Sequence, residues 1–136
     1  KAPKVFVRDS GIAHALLGLE NKEQLLGHPV VGPSWESFVT ESLLLQAPRG
    51  TGAYYYRTSG GAEIDLVLTL PGGALWAVEI KRSSAPKLER GFHHACADLA
   101  PARRFVVYPG SERFPLNAET EALGLADLGK LLQTAV

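Results

Sequence analysis

The sequence predicts a mixed α/β (α+β) fold, a central mixed β-sheet flanked by helices, with the core order α-β-β-β-α-β. Three observations predict it. Three strand-like runs follow one another at residues 53–57, 62–70 and 74–82, divided by the turn-forming stretches "TSGG" and "PGG". Segments of helical periodicity lie on both sides of that block, and another apolar strand follows at 103–110. The 136 residues are 46% hydrophobic and 21% charged, which suits a single domain over 1–136 with a substantial core.

The elements follow in order. "KVFVR" at 4–8 reads as a short strand, and "DSGIAHALLGLE" at 9–20 as a helix capped by Asp9 or Ser10. Residues 20–32 are polar and carry Gly and Pro, so they read as a loop. The helix in "GPSWESFVTESLLLQ" is clearer. Trp35, Phe38, Val39, Ser42 and Leu43 recur at the spacing of one buried face. "APRGTG" ends it. "AYYYR" is aromatic and favours a strand. "AEIDLVLTL" and "ALWAVEIKR" complete the block as hairpin-linked strands. "APKLERGFHHACADLA" at 85–100 predicts a helix with Leu88, Phe92, Ala95 and Leu99 on one stripe. "RRFVVYPG" is the last core strand, and the tail from 117 to 136 ends in a helix.

Composition narrows the function classes. Lys and Arg balance Asp and Glu at 14 each, so the formal net charge is zero. Bulk charge therefore does not drive non-specific nucleic-acid binding, although a local basic patch is compatible with it. The single cysteine, Cys96, has no internal disulfide partner and suits a reducing, cytoplasmic setting. No zinc-type Cys/His spacing is present. No apolar run approaches the roughly 20 residues of a membrane span, and no signal peptide is visible. The chain opens without Met inside a strand-like segment, which predicts a piece of a longer protein.

The charges on the hairpin carry the functional argument. Side chains alternate along a strand. Ile64, Leu66, Leu68 and Leu70 should share one face, and Glu63, Asp65, Val67 and Thr69 the other. On the next strand Trp76, Val78 and Ile80 should oppose Leu75, Ala77, Glu79 and Lys81. A tight turn then sets Asp65 beside Glu79 and Lys81. Two carboxylates and a lysine so placed suit a Mg²⁺ or Mn²⁺ site, because these hard ions take few protein oxygens and keep waters. At about 100° per residue, Glu36 flanks the apolar stripe beside Val39 and Leu43, so it is favoured over Glu41 as a third carboxylate. Pattern alone also fits a half-solvated strand whose charges form ion pairs worth under about 1 kcal/mol. Glu63 fits an extra rim ligand or a solvated acid.

The spacing Asp65, a gap across a hairpin, then Glu79-Ile80-Lys81 resembles the PD-(D/E)XK nuclease superfamily, with Ile64 standing where the motif has proline. The core order matches as well. A closer resemblance covers nearly the whole chain: "KVFVRDSGIAHALLGL", "GPSWESFVTESLL", "YYYRTSGGAEIDLVL" and "AVEIKRS", in this order, look like the DUF4143 domain. That domain usually forms the C-terminal part of prokaryotic ATPases with an AAA-type P-loop module. No GxxxxGK[ST] occurs here. The resemblance implies a restriction-endonuclease-like fold and a Mg²⁺- or Mn²⁺-dependent deoxyribonuclease. Asp65, Glu79 and Glu36 would be its metal ligands and Lys81 its catalytic lysine. Arg57, Arg82 and Lys87, with Arg90 nearby, are the candidate contacts to a DNA backbone. The alternative is a catalytically silent module for assembly, as a homo-oligomer or beside an ATPase partner.

Overall fold

The computed structural model describes residues 31–135, so the strand and helix expected before residue 20 lie outside the described residues. Helix α1 spans Val31–Gln46. Strands β1 (Gly52–Arg57), β2 (Glu63–Thr69) and β3 (Leu75–Ile80) form an antiparallel meander. Helix α2 (Arg90–Leu99) then crosses to β4 (Arg103–Val107), which pairs parallel with β3. Two short strands, β5 (Phe114–Pro115) and β6 (Thr120–Leu123), precede helix α3 (Leu125–Thr134). The six-stranded sheet has the order β1-β2-β3-β4-β6-β5 and is mixed, as expected. None of the described helices is long and apolar enough to cross a membrane.

The sheet is covered on both faces. Val39 and Leu43 of α1 and Leu128 and Leu132 of α3 pack on Leu66, Leu68, Val78 and Phe105. Phe92, Ala95 and Cys96 of α2 pack on the opposite face against Val67 and Ala77. Burial raises the Cys96 thiol to about 11, so it behaves as an inert apolar group. Trp76 is buried and stacks at a tilt against Phe105, a core anchor.

The structure corrects the sequence expectations at four places. Phe38 of α1 is not on the buried face; it is 50% exposed and stacks on Trp35, because it lies about 100° around the helix from Val39. The helix expected from residue 85 begins only at Arg90. Glu89 is still extended, and Pro86 holds the residue before it out of the helical region. Leu88 nevertheless packs against the α2 cluster. The tail contributes strands β5 and β6 before its helix. Finally, Ile64 joins Val67 and Ala77 rather than Leu66.

That last shift has a clear cause. Tyr54 pairs with Val67 but Tyr56 pairs with Ile64, so Tyr55 alone faces both Asp65 and Leu66. An extra residue in one strand is a β-bulge, which breaks the alternation and re-aims side chains. It falls at Asp65. Gly91 fixes a second approach. A Cβ there would stand 2.5 Å from the Gly61 carbonyl oxygen, so only glycine lets α2 begin this close to the β1–β2 turn.

Candidate functional site

The β2–β3 ladder is regular from Thr69 and Leu75 up to Leu66 and Val78. Beyond that pair, side chains take over the backbone groups. The Ile80 amide donates to Asp65 Oδ2 at 2.9 Å, and the Asp65 amide donates to Glu79 Oε1 at 3.3 Å. Each carboxylate is thus held by the backbone of the opposite strand or its neighbour. Lys81 follows β3, with its amide donating to the Val107 carbonyl at 2.9 Å. Its Nζ lies 3.7 Å from Glu79 Oε2 and 3.2 Å from Glu89 Oε1.

A cavity of about 250 Å³ opens on this group. Its walls carry Glu36, Glu63, Asp65, Glu79 and Glu89, with Lys81 as the cation among them. Glu36 arrives from α1, close around the helix from Leu43. Glu63 comes from β2, where Tyr55 Oη donates to its Oε1 at 2.8 Å. Gly61 and Gly91 leave the far side open to the backbone.

The electrostatics follow from crowding. Glu79 is only 6% exposed. Burial, and next the Asp65 carboxylate, push its pKa up to about 9. A proton on Glu79 therefore occupies a position of high negative potential at neutral pH. Burial works against the Lys81 ammonium, but Glu79 and Glu89 outweigh it and raise its pKa. Lys81 stays charged.

The donor set fits a hard divalent cation. Mg²⁺ and Mn²⁺ take carboxylate oxygens, and Mg²⁺ commonly takes one or two carboxylates and keeps several waters. Asp65 and Glu79 meet that demand, and a cation would relieve the repulsion that Glu79 now relieves by protonation. Among the described residues, no three acidic, His or Cys groups already stand together at ligating distances.

The structure therefore brings Asp65, Glu79, Lys81 and Glu36 to one cavity. Arg82 is exposed and lines an adjoining pocket rather than the cavity. Arg57 ends β1, exposed, with its Nη1 donating to Tyr55 Oη at 3.3 Å. Lys87 is exposed on the segment before α2. Neither Arg57 nor Lys87 lines the cavity. His93 and His94 are exposed on α2, and neither lines the cavity. Sequence reasoning missed Glu89, which pairs with Lys81 from the N-cap of α2. Its signal was its place immediately ahead of the true helix start, obscured by a helix expected from residue 85.

Comparison with known proteins gives a family and no activity. The family model described as "Domain of unknown function (DUF4143)" matches residues 31–128. The chain is similar to the uncharacterized protein Mb2031c of Mycobacterium bovis and the uncharacterized protein Rv2008c of Mycobacterium tuberculosis. It is 44% identical to each over 118 residues, which cover 86% of this chain and 26% of theirs. The chain thus spans about a quarter of the length of these curated relatives. No solved structure matches it.

Proposed function

The chain belongs to the DUF4143 family, and on that premise we propose that it is a metal-dependent nuclease domain of the PD-(D/E)XK superfamily, with a restriction-endonuclease-like fold, acting on DNA phosphodiester bonds. One observation carries this reading. Asp65 and Glu79 meet across β2 and β3, with Lys81 Nζ 3.7 Å from Glu79 Oε2, in one acidic cavity. A half-solvated strand gives no reason to bury Glu79 against a second carboxylate, because that costs stability unless something is bound there.

The residues divide the work. Asp65 and Glu79 would hold the ion, with Glu36 and Glu63 completing the shell directly or through water. A bound Mg²⁺ or Mn²⁺ would supply a water of lowered pKa and Lewis-acid stabilisation of the phosphoryl oxygens. Lys81 offsets negative charge developing on the phosphate or orients the attacking water. Glu89 positions Lys81. Arg57, Arg82 and Lys87 would touch the DNA backbone, and an ATPase module of the same or a partner chain would act beside the domain.

The test is conversion of supercoiled plasmid to nicked circles, and cleavage of single-stranded DNA, with Mg²⁺ or Mn²⁺. Nicking that appears with metal and disappears with chelator is expected. No nicking with either metal would sink the reading for this chain alone.

A different observation favours an assembly or partner-recognition module beside an ATPase. Phe38 and Leu45 are 50% and 86% exposed, and they lie seven residues apart on one outer stripe of α1. That reading expects a defined oligomer in sedimentation that Leu45→Glu dissolves. A monomer at all concentrations would remove its support.

A further inference from the structure

A second pocket, of about 270 Å³, opens beside the acidic cavity and shares Glu36, Ile80 and Lys81 with it. Its character differs. Pro33, Trp35 and Ile80 give it apolar walls, and the Lys81 and Arg82 side chains border it. Its volume is near the small end of ligand clefts, about 300 Å³, so it takes one ring system and not a duplex. Trp35 is held in a fixed orientation. Its Nε1 donates to the Lys81 carbonyl at 3.0 Å, which ties the indole to the residue that carries the candidate catalytic lysine. Phe38 stacks on the ring, with centroids 6.1 Å apart and planes inclined by 29°, and Trp35 also packs against the core.

We infer that this pocket receives an unpaired nucleobase stacked against Trp35, next to the phosphate that enters the acidic cavity, so that single-stranded DNA is the preferred substrate. The inference rests on the nuclease reading and names its substrate class. An aromatic face binds any base by stacking and is sequence-tolerant. A base in a duplex must first leave its stack and its partner, at a cost of a few kcal/mol, whereas an unpaired base does not. Lys81 lines both pockets and Arg82 the second, so a connecting phosphate would pass Lys81 and could be met by Arg82.

The test uses the Asp65→Asn chain, so that binding is measured without cleavage. The probes are a labelled oligothymidylate of about 12 nucleotides and a duplex of the same length, in the presence of Mg²⁺. Expected are at least about tenfold tighter binding of the single strand and loss of most of that preference in Trp35→Leu. Trp35→Phe, which keeps a stacking ring, should retain it. The single strand should also quench tryptophan fluorescence where the duplex does not, because Trp76 is buried and Trp35 is the partly open indole. This readout needs no substitution at Trp35. Equal affinities, equal weakening of both probes, or no quenching would each overturn the inference. Plasmid nicking without single-strand preference overturns it and leaves the nuclease reading standing. Single-strand preference without nicking by the unmodified chain overturns the nuclease reading alone.

Discussion

Asp65→Asn is expected to abolish metal-dependent cleavage while leaving a folded domain. The substitution keeps the shape of the side chain and keeps an amide oxygen that can accept from the Ile80 amide, as Asp65 Oδ2 does at 2.9 Å. What it removes is the negative charge. That charge is one of the causes that raise the Glu79 pKa, so its removal makes ionising Glu79 in this buried place less costly. The same change takes away one of the two oxygens best placed to hold a cation. Loss of an outer-shell partner of a metal ligand already costs about 10–100-fold in affinity or activity, so loss of the ligand itself should cost at least about 100-fold. The measurement is a plasmid nicking rate beside a thermal melt on the same preparation. Rate lost with the melting temperature held or raised identifies Asp65 as a ligand. Unchanged cleavage would remove Asp65 from the site and with it the nuclease reading. Lost cleavage with a collapsed melt would assign Asp65 a structural role.

The hairpin that carries this residue was legible because its signals are local. "PGG" fixes the β2–β3 turn, period-two alternation fixes the faces, and together they place Asp65 and Glu79 side by side. Glu36 was legible for a similar reason, since helical spacing alone puts it near Leu43. The rest depended on contacts distant in sequence. The bulge at Asp65 and Leu66 is set by pairing with Tyr55, and no composition signal marks it. Strand β6, "TEAL", is four residues long with Glu and Ala in it, so its local preference is helical; parallel pairing with β4 overrides that preference. Helix α2 starts late because the chain must first bring Lys81 and Glu89 together and clear Pro86. Glu89 was invisible as a site residue because that detour was invisible. Phe38 counted towards an apolar stripe by spacing, yet the sheet is covered by Val39 and Leu43, and the stripe is narrower than the pattern suggests.

Glu79→Gln should stabilise the domain increasingly as pH rises, and it should uncouple stability from metal. In the folded chain Glu79 is raised from the ordinary 4.5 to about 9 by burial and by Asp65. Between those values the folded state binds a proton that the unfolded state has released. Stability must then fall as pH rises through that window and level off above it. Glutamine is neutral throughout, can accept from the Asp65 amide, and can donate to the Asp65 carboxylate. The variant should match the parent near pH 4.5 and exceed it by on the order of 2 kcal/mol near pH 8. That corresponds to a rise of about 6 °C or more in melting temperature. Metal acts through the same group with the opposite sense. A cation binds ionised Glu79 and displaces its proton, so Mn²⁺ should raise the parent's melting temperature more at pH 8 than at pH 6. In Glu79→Gln the Mn²⁺ shift should be small at both. A stability difference that stays flat from pH 5 to 9 would mean that Glu79 is already ionised in the fold, with a neighbouring cation of the chain already meeting its charge. A difference that grows with pH, together with a Mn²⁺ shift that vanishes in the variant, would mean that the chain tolerates a buried carboxylate pair, one member protonated, because an ion is meant to sit between them.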